Sequence, residues 1–176
     1  MKSFLKTMLA GVVVTFGLSA AQAGDVSVKG VHLCCGQCVK IVGTALGKVD
    51  GISNPACDRK TKTVSFTATN DKAAKAAVKA LAKAGFHGAA KHGDKKLAFP
   101  ASGAKKGQKA DAVTLTSVHL CCGGCVNAAK KALTGIKAEF AADRKAKTVT
   151  LTGSGIDINA AVAALNEAGF NGQLKK

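Results

Sequence analysis

Three cysteines crowd into five residues at Cys34, Cys35 and Cys38, and the same arrangement recurs at Cys121, Cys122 and Cys125. Two thiolates three residues apart, the second on the first turn of a helix, can converge on one ion. A helix N-terminus lowers thiol pKa and raises the thiolate fraction. Thiolates select soft ions, Cu(I) first among them, with Zn and Hg in the same thiophilic class. The first-choice ligands are therefore Cys35 and Cys38 in one copy and Cys122 and Cys125 in the other. Cys34 and Cys121 are second-rank candidates.

Four further residues complete the candidate set. His32 and His119 precede the cysteines by two positions. In an extended strand His32 and Cys34 share one face and Cys35 lies on the other, which works against all of them meeting unless the loop curls. Cys57 and His87 occur in the first copy only; Ala142 and Asn171 stand at the matching places in the second. They would give the first copy extra ligands for a tetrahedral divalent ion, or let Cys57 pair with Cys34 as a disulfide. The plainer reading makes Cys57 a small buried hydrophobe and His87 a surface residue.

Other chemistries compete for the motif. A Cys-x-x-Cys pair in an exported chain suits thiol–disulfide exchange, the alternative function for this protein. Against it, no Trp or Pro flanks the pair, and the repeat is too short for a thioredoxin-like set of elements. Adjacent cysteines make poor structural disulfides, because the loop they close is tiny and strained. A Cys₃His zinc site from His32, Cys34, Cys35 and Cys38 is a variant of metal binding. No Ser-His-Asp order, paired acids or phosphate loop is present, so the chain reads as no enzyme.

The elements that must position these thiols follow from an internal duplication. Val31-His-Leu-Cys-Cys-Gly-Gln-Cys-Val39 recurs as Val118-His-Leu-Cys-Cys-Gly-Gly-Cys-Val126, with eight of nine positions identical. Asp58-Arg-Lys-Thr-Lys-Thr-Val64 returns as Asp143-Arg-Lys-Ala-Lys-Thr-Val149, and Ala84-Gly-Phe-His-Gly88 as Ala168-Gly-Phe-Asn-Gly172. Three ordered blocks mark a tandem repeat. Val26 and Val28 alternate with polar residues, as do Val113 and Leu115, predicting a first strand in each copy. The phase then slips by one residue, which predicts a bulge ahead of the cysteines. Helices follow over 37–47 and 124–133, then hairpins around Asp58–Thr61 and Asp143–Ala146. Second helices over 71–84 and 158–168 stop at Gly85 and Gly169. A short strand closes each copy. The order β-α-β-β-α-β is the α+β, ferredoxin-like sandwich, twice over. Right-handed crossovers bring the cysteine loop, Cys57 and Phe86-His87 to one end of the first copy.

With these residues in place the sequence resembles the heavy-metal-associated domain family of soft-metal carriers, over both copies. In that family an apolar strand, often with Met two residues before Cys-x-x-Cys, runs into a helix. Leu33 and Leu120 stand at the Met position here. The resemblance implies that Cys35, Cys38, Cys122 and Cys125 are the metal ligands and that Phe86 and Phe170 lie beside the metal. It also implies metal transport, with another metal-handling protein as partner. Two departures mark this chain: cysteine, not Thr or His, precedes the first motif cysteine, and a His precedes the Leu.

Composition bounds the rest. The 176 residues carry 26 Lys+Arg against 10 Asp+Glu, a formal +16, which suggests anionic partners without naming one. Lys72, Lys75, Lys79 and Lys83 fall on the polar side of a helix and read as a solvated face. Neither aromatic stacking platforms nor a reader motif argues for nucleic acid. Residues 1–23 read as a signal peptide: Lys2 and Lys6, an apolar run, then Ala21-Gln22-Ala23. That run is too short to span a bilayer, which takes roughly 18 residues. Export expects a periplasmic or secreted protein with no membrane span. Residues 24–91 are then the first domain and 112–176 the second. Between them 92–111, with Pro100, three Gly and five Lys, reads as a flexible linker. Sequence leaves open whether the protein carries its ion to a partner or scavenges it.

Overall fold

The computed structural model describes residues 23–175, so the expected leader falls outside it but for Ala23. The first unit comprises β1 (Gly24–Lys29), α1 (Gly36–Leu46), β2 (Ile52–Asp58), β3 (Thr63–Ala68), α2 (Asp71–Lys83), β4 (Ala89–His92) and a short β5 (Lys95–Leu97). The second comprises β6 (Lys109–Thr116), α3 (Gly123–Ala132), β7 (Glu139–Asp143), β8 (Thr148–Asp157), α4 (Ile158–Glu167) and β9 (Gln173–Leu174). The sheets run β2-β3-β1-β4-β5 and β7-β8-β6-β9. The first and second strands of each unit thus flank the third, which is the α+β, ferredoxin-like arrangement.

Alternation along β1 sends Val26 and Val28 inward, where they meet Val42 and Leu46 of α1 and Ala74, Val78 and Leu81 of α2. The second core repeats this with Val113, Leu115, Ala129, Ile158 and Leu165. Helix α2 carries its own start and stop signals. The Asn70 side chain accepts from the Ala73 N–H at 2.9 Å, Asp71 lies in the first turn and Lys83 in the last. The lysines at 72, 75, 79 and 83 are exposed along its outer face.

Two expectations change. The phase slip before the cysteines is no bulge: β1 ends at Lys29 and Gly30 turns the chain at φ +79°. Ser117, at φ 55°, does the same after β6. The following residues leave the strand while Val31 and Val118 still donate to Lys62 and Lys147 of the hairpins, at 3.0 and 3.1 Å. Strand alternation therefore does not govern His32 and Cys34. The stretch 92–111 opens in ordered strands rather than linker. His92 pairs with Val26 in β4, its Nδ1 meets Asp71 at 2.8 Å, and Lys95 joins the same carboxylate. Leu97 is buried on the first core.

Candidate metal centre

Each helix that follows a cysteine loop begins on a cysteine. Cys35 is the N-cap of α1 and Cys122 the N-cap of α3, both extended, at φ −146° and −148°. Neither thiol forms a regular side-chain cap, but each faces the free N–H groups of the first turn. For Cys35 these belong to Cys38 and Gln37, and they lower its pKa to about 6. For Cys122 the N–H groups of Cys125 and Gly124 act in the same direction. One turn in, Cys38 and Cys125 are fully buried. Cys34 and Cys121 lie just outside the helices, and burial, with neighbouring thiols, pushes both well above the usual thiol range.

The hairpins hold the loops in place. Arg59 Nη2 donates to the Cys34 carbonyl at 2.7 Å, and Arg144 Nη2 to the Cys121 carbonyl at 2.6 Å. Asp58 and Asp143 shape those hairpin turns by accepting from the N–H groups of Lys60 and Thr61, and of Lys145 and Ala146. These contacts account for the repeated Asp-Arg-Lys block. Sequence reading identified a turn there but missed the arginines' role; their recurrence at a fixed place in both copies was the available signal.

The two cysteine loops face each other. Within the first unit Cys38 Sγ lies 3.7 Å from Cys34 and 3.6 Å from Cys35. Within the second, Cys125 Sγ lies 3.5 Å from Cys121 and 3.7 Å from Cys122. Across the interface Cys34 meets Cys122 at 3.7 Å and Cys125 at 3.5 Å, while Cys121 meets Cys35 at 3.6 Å and Cys38 at 3.7 Å. The six sulfurs thus form one connected cluster that spans both units.

Both histidines border it. His119 Nε2 is 3.3 Å from Cys38 Sγ, and a ring nitrogen of His32 lies within 4.8 Å of the thiols of Cys34 and Cys125. Burial brings each imidazole down to about 4, so both are neutral at neutral pH and keep a nitrogen lone pair free. The Nε2 of His32 is buried with no hydrogen-bond partner. Among the described residues, the groups of at least three ligand side chains within 4.8 Å draw on the six motif cysteines and these two histidines. They leave out Cys57 and His87. Cys57 sits in β2 opposite Val64, half-buried, with its thiol pKa raised by burial. The His87 ring tilts against Phe99 at 4.5 Å between centroids. All seven cysteines are unbridged, including Cys57 and Cys34.

What joins the units is the third repeated block. His32 stacks on Phe170 at 4.2 Å and His119 on Phe86 at 4.1 Å. The amides of His32 and His87 donate to the Gly169 carbonyl at 3.3 and 3.0 Å, and those of His119 and Asn171 to the Gly85 carbonyl at 3.2 and 2.8 Å. Phe86 and Phe170 pair as an antiparallel bridge. Burying each phenyl ring fully contributes on the order of 1.5–3 kcal/mol. The phenylalanines thus hold the opposite unit's histidine beside the thiols.

A reactivity order follows for the metal-free, reduced protein. At pH 7 a thiol of pKa about 6 is mostly thiolate, whereas one raised above its usual value is almost wholly protonated. Cys35 and then Cys122 are expected to take up a substoichiometric alkylating agent before Cys34 and Cys121. The Cys35 rate should fall as pH drops through about 6. Peptide mapping after a timed pulse checks this; equal labelling of Cys34 and Cys35 would contradict it.

The heavy-metal-associated domain family matches residues 25–87. No curated protein matches the chain significantly. Among solved structures, the N-terminal soluble domains of Bacillus subtilis CopA align at 16% identity over 88% of this chain and 95% of that one, with a TM-score of 0.35. The family match runs from β1 through α2 to His87, just short of β4, and includes Cys34, Cys35 and Cys38. Residues 25–87 are thus similar to the heavy-metal-associated domain family.

Proposed function

We propose that this protein binds a thiophilic metal ion, Cu(I) before Zn or Hg, as an exported carrier or scavenger with no catalytic activity of its own. The observation that carries this reading is the convergence of six thiols at 3.5–3.7 Å on two helix N-termini. Soft thiolates select Cu(I), and no oxygen ligand dilutes that preference within the ligand groups of the centre. Residues 109–174 are read as a second heavy-metal-associated domain, supported by their shared strand order and repeated cysteine block. The leader-like residues 1–23 support a periplasmic or secreted location. The basic outer surface suits an acidic metal-handling partner.

Anaerobic titration of the reduced protein with Cu(I), against a competing chelator, tests the reading. Wild-type protein should outcompete the chelator. The variant carrying Cys35→Ser, Cys38→Ser, Cys122→Ser and Cys125→Ser should not, with affinity down by at least about a hundredfold. Retained tight binding in that variant would sink the assignment. Robust turnover in a disulfide-reductase assay would instead favour thiol–disulfide exchange.

A further inference from the structure

The six sulfurs are not evenly connected. Cys35, Cys38 and Cys121 form a closed triangle with edges of 3.6, 3.6 and 3.7 Å. Cys122, Cys125 and Cys34 form another, with edges of 3.7, 3.5 and 3.7 Å. Each triangle holds the Cys-x-x-Cys pair of one unit and the leading cysteine of the other. An equilateral triangle of 3.6 Å edge has its centre about 2.1 Å from each corner, close to the roughly 2.3 Å of a zinc–thiolate bond. The triangles touch through Cys34–Cys38 at 3.7 Å and Cys121–Cys125 at 3.5 Å.

We infer that the chain holds two cross-completed trigonal sites for a soft monovalent ion, each Cys-x-x-Cys pair receiving its third thiolate from the other unit: Cys121 for Cys35 and Cys38, and Cys34 for Cys122 and Cys125. This rests on the metal-binding reading above and specifies the ligand sets of that centre. It explains why cysteine replaces the family's usual residue at Cys34 and Cys121. Each extra thiol touches only one member of its own pair, at 3.7 Å for Cys34 and 3.5 Å for Cys121, but both members of the other unit's pair. Loading releases the remaining thiol protons to solvent as metal–sulfur bonds form. The negative charge left on the centre lies at the N-termini of α1 and α3, whose dipoles favour it. Three sulfurs in a plane suit Cu(I). Zinc prefers four ligands, for which Cys38, His119, Cys121 and Cys125 form the competing group.

The test removes one triangle and probes the other. In a Cys35→Ser/Cys38→Ser background one Cu(I) should remain, three-coordinate by copper X-ray absorption. Adding Cys34→Ser should convert it to two-coordinate and weaken it at least about tenfold in chelator competition. Adding Cys121→Ser instead should leave the coordination number unchanged and the affinity within about twofold. Each variant is compared by circular dichroism, so that a loss of fold is not read as a loss of ligand. If Cys34→Ser and Cys121→Ser act alike, or if Cys121→Ser alone weakens the site, cross-completion is wrong. A two-coordinate ion in the starting background overturns cross-completion but leaves the metal-binding reading standing. Failure of the wild-type protein to bind Cu(I) at all removes that reading and this one together.

Discussion

Replacing Gly169 by alanine is expected to undock the two units without unfolding either. A Cβ there would lie 2.3 Å from the His32 backbone nitrogen, 2.4 Å from the Gly30 oxygen and 2.8 Å from the Val31 carbonyl carbon. All three are backbone atoms of the other unit and cannot swing aside. The residue also sits at φ +85°, where a side chain costs a further ~1 kcal/mol. Gly85 is its counterpart, at φ +92° and 2.3 Å from the His119 nitrogen. These glycines end α2 and α4, and they also let the chains approach closely enough for four interface hydrogen bonds. Gly172→Ala is the control: its Cβ would meet nothing nearer than 3.5 Å. Hydrogen exchange at the His32 and His87 amides reads the outcome. Gly169→Ala should lose at least about tenfold of the protection that Gly172→Ala keeps. Equal protection in the two variants would show that the interface does not depend on this contact.

Acid should open the same interface in the metal-free protein. His32 and His119 are held neutral by burial, with folded-state values of about 4 against 6.5 unfolded. Lys62 beside His32 adds to the depression, as do His32 and Lys147 around His119, while a backbone hydrogen bond at Ala84 partly opposes it for His119. Between those values the undocked or unfolded state binds more protons, so stability rises with pH across that window. The docked form is favoured fully above about 6.5 and loses ground as pH falls toward about 4, where both imidazoles charge. Small-angle scattering should show the radius of gyration growing over this range. His119→Gln should shrink the pH dependence while leaving a smaller one from His32. A flat profile from pH 7 to 4 in the wild-type protein would refute the buried-neutral assignment.

Much of the scaffold was legible because local signals agreed with one another. The hydrophobic period, the Asn70 cap, the helix-stopping glycines and the Asp-initiated hairpins all act within a few residues. The helices begin and end within about one residue of expectation. The phase slip was misread because a left-handed turn at Gly30 and a bulge leave the same trace in sequence. His92 was assigned to a linker because Gly, Pro and Lys dominate 92–111; its bond to Asp71 joins residues 21 positions apart, beyond any local pattern.

Spacing within single segments was enough to place the thiol pairs at helix starts and to order the elements of each copy as β-α-β-β-α-β. Each depends on spacing along one chain segment. Which thiols meet depends on how the two units pack. Cys34 and Cys125 stand 91 positions apart and touch at 3.5 Å, whereas Cys57, a further candidate of the first copy, lies outside the centre. The deciding contacts are side chains of one copy against backbone and rings of the other: His32 on Phe170, His119 on Phe86, and two glycines with no Cβ in the way. A repeat read in one dimension shows that these residues recur. It does not show that two copies in reciprocal contact bring six recurring thiols into one cluster, because that depends on complementary surfaces that no single copy contains.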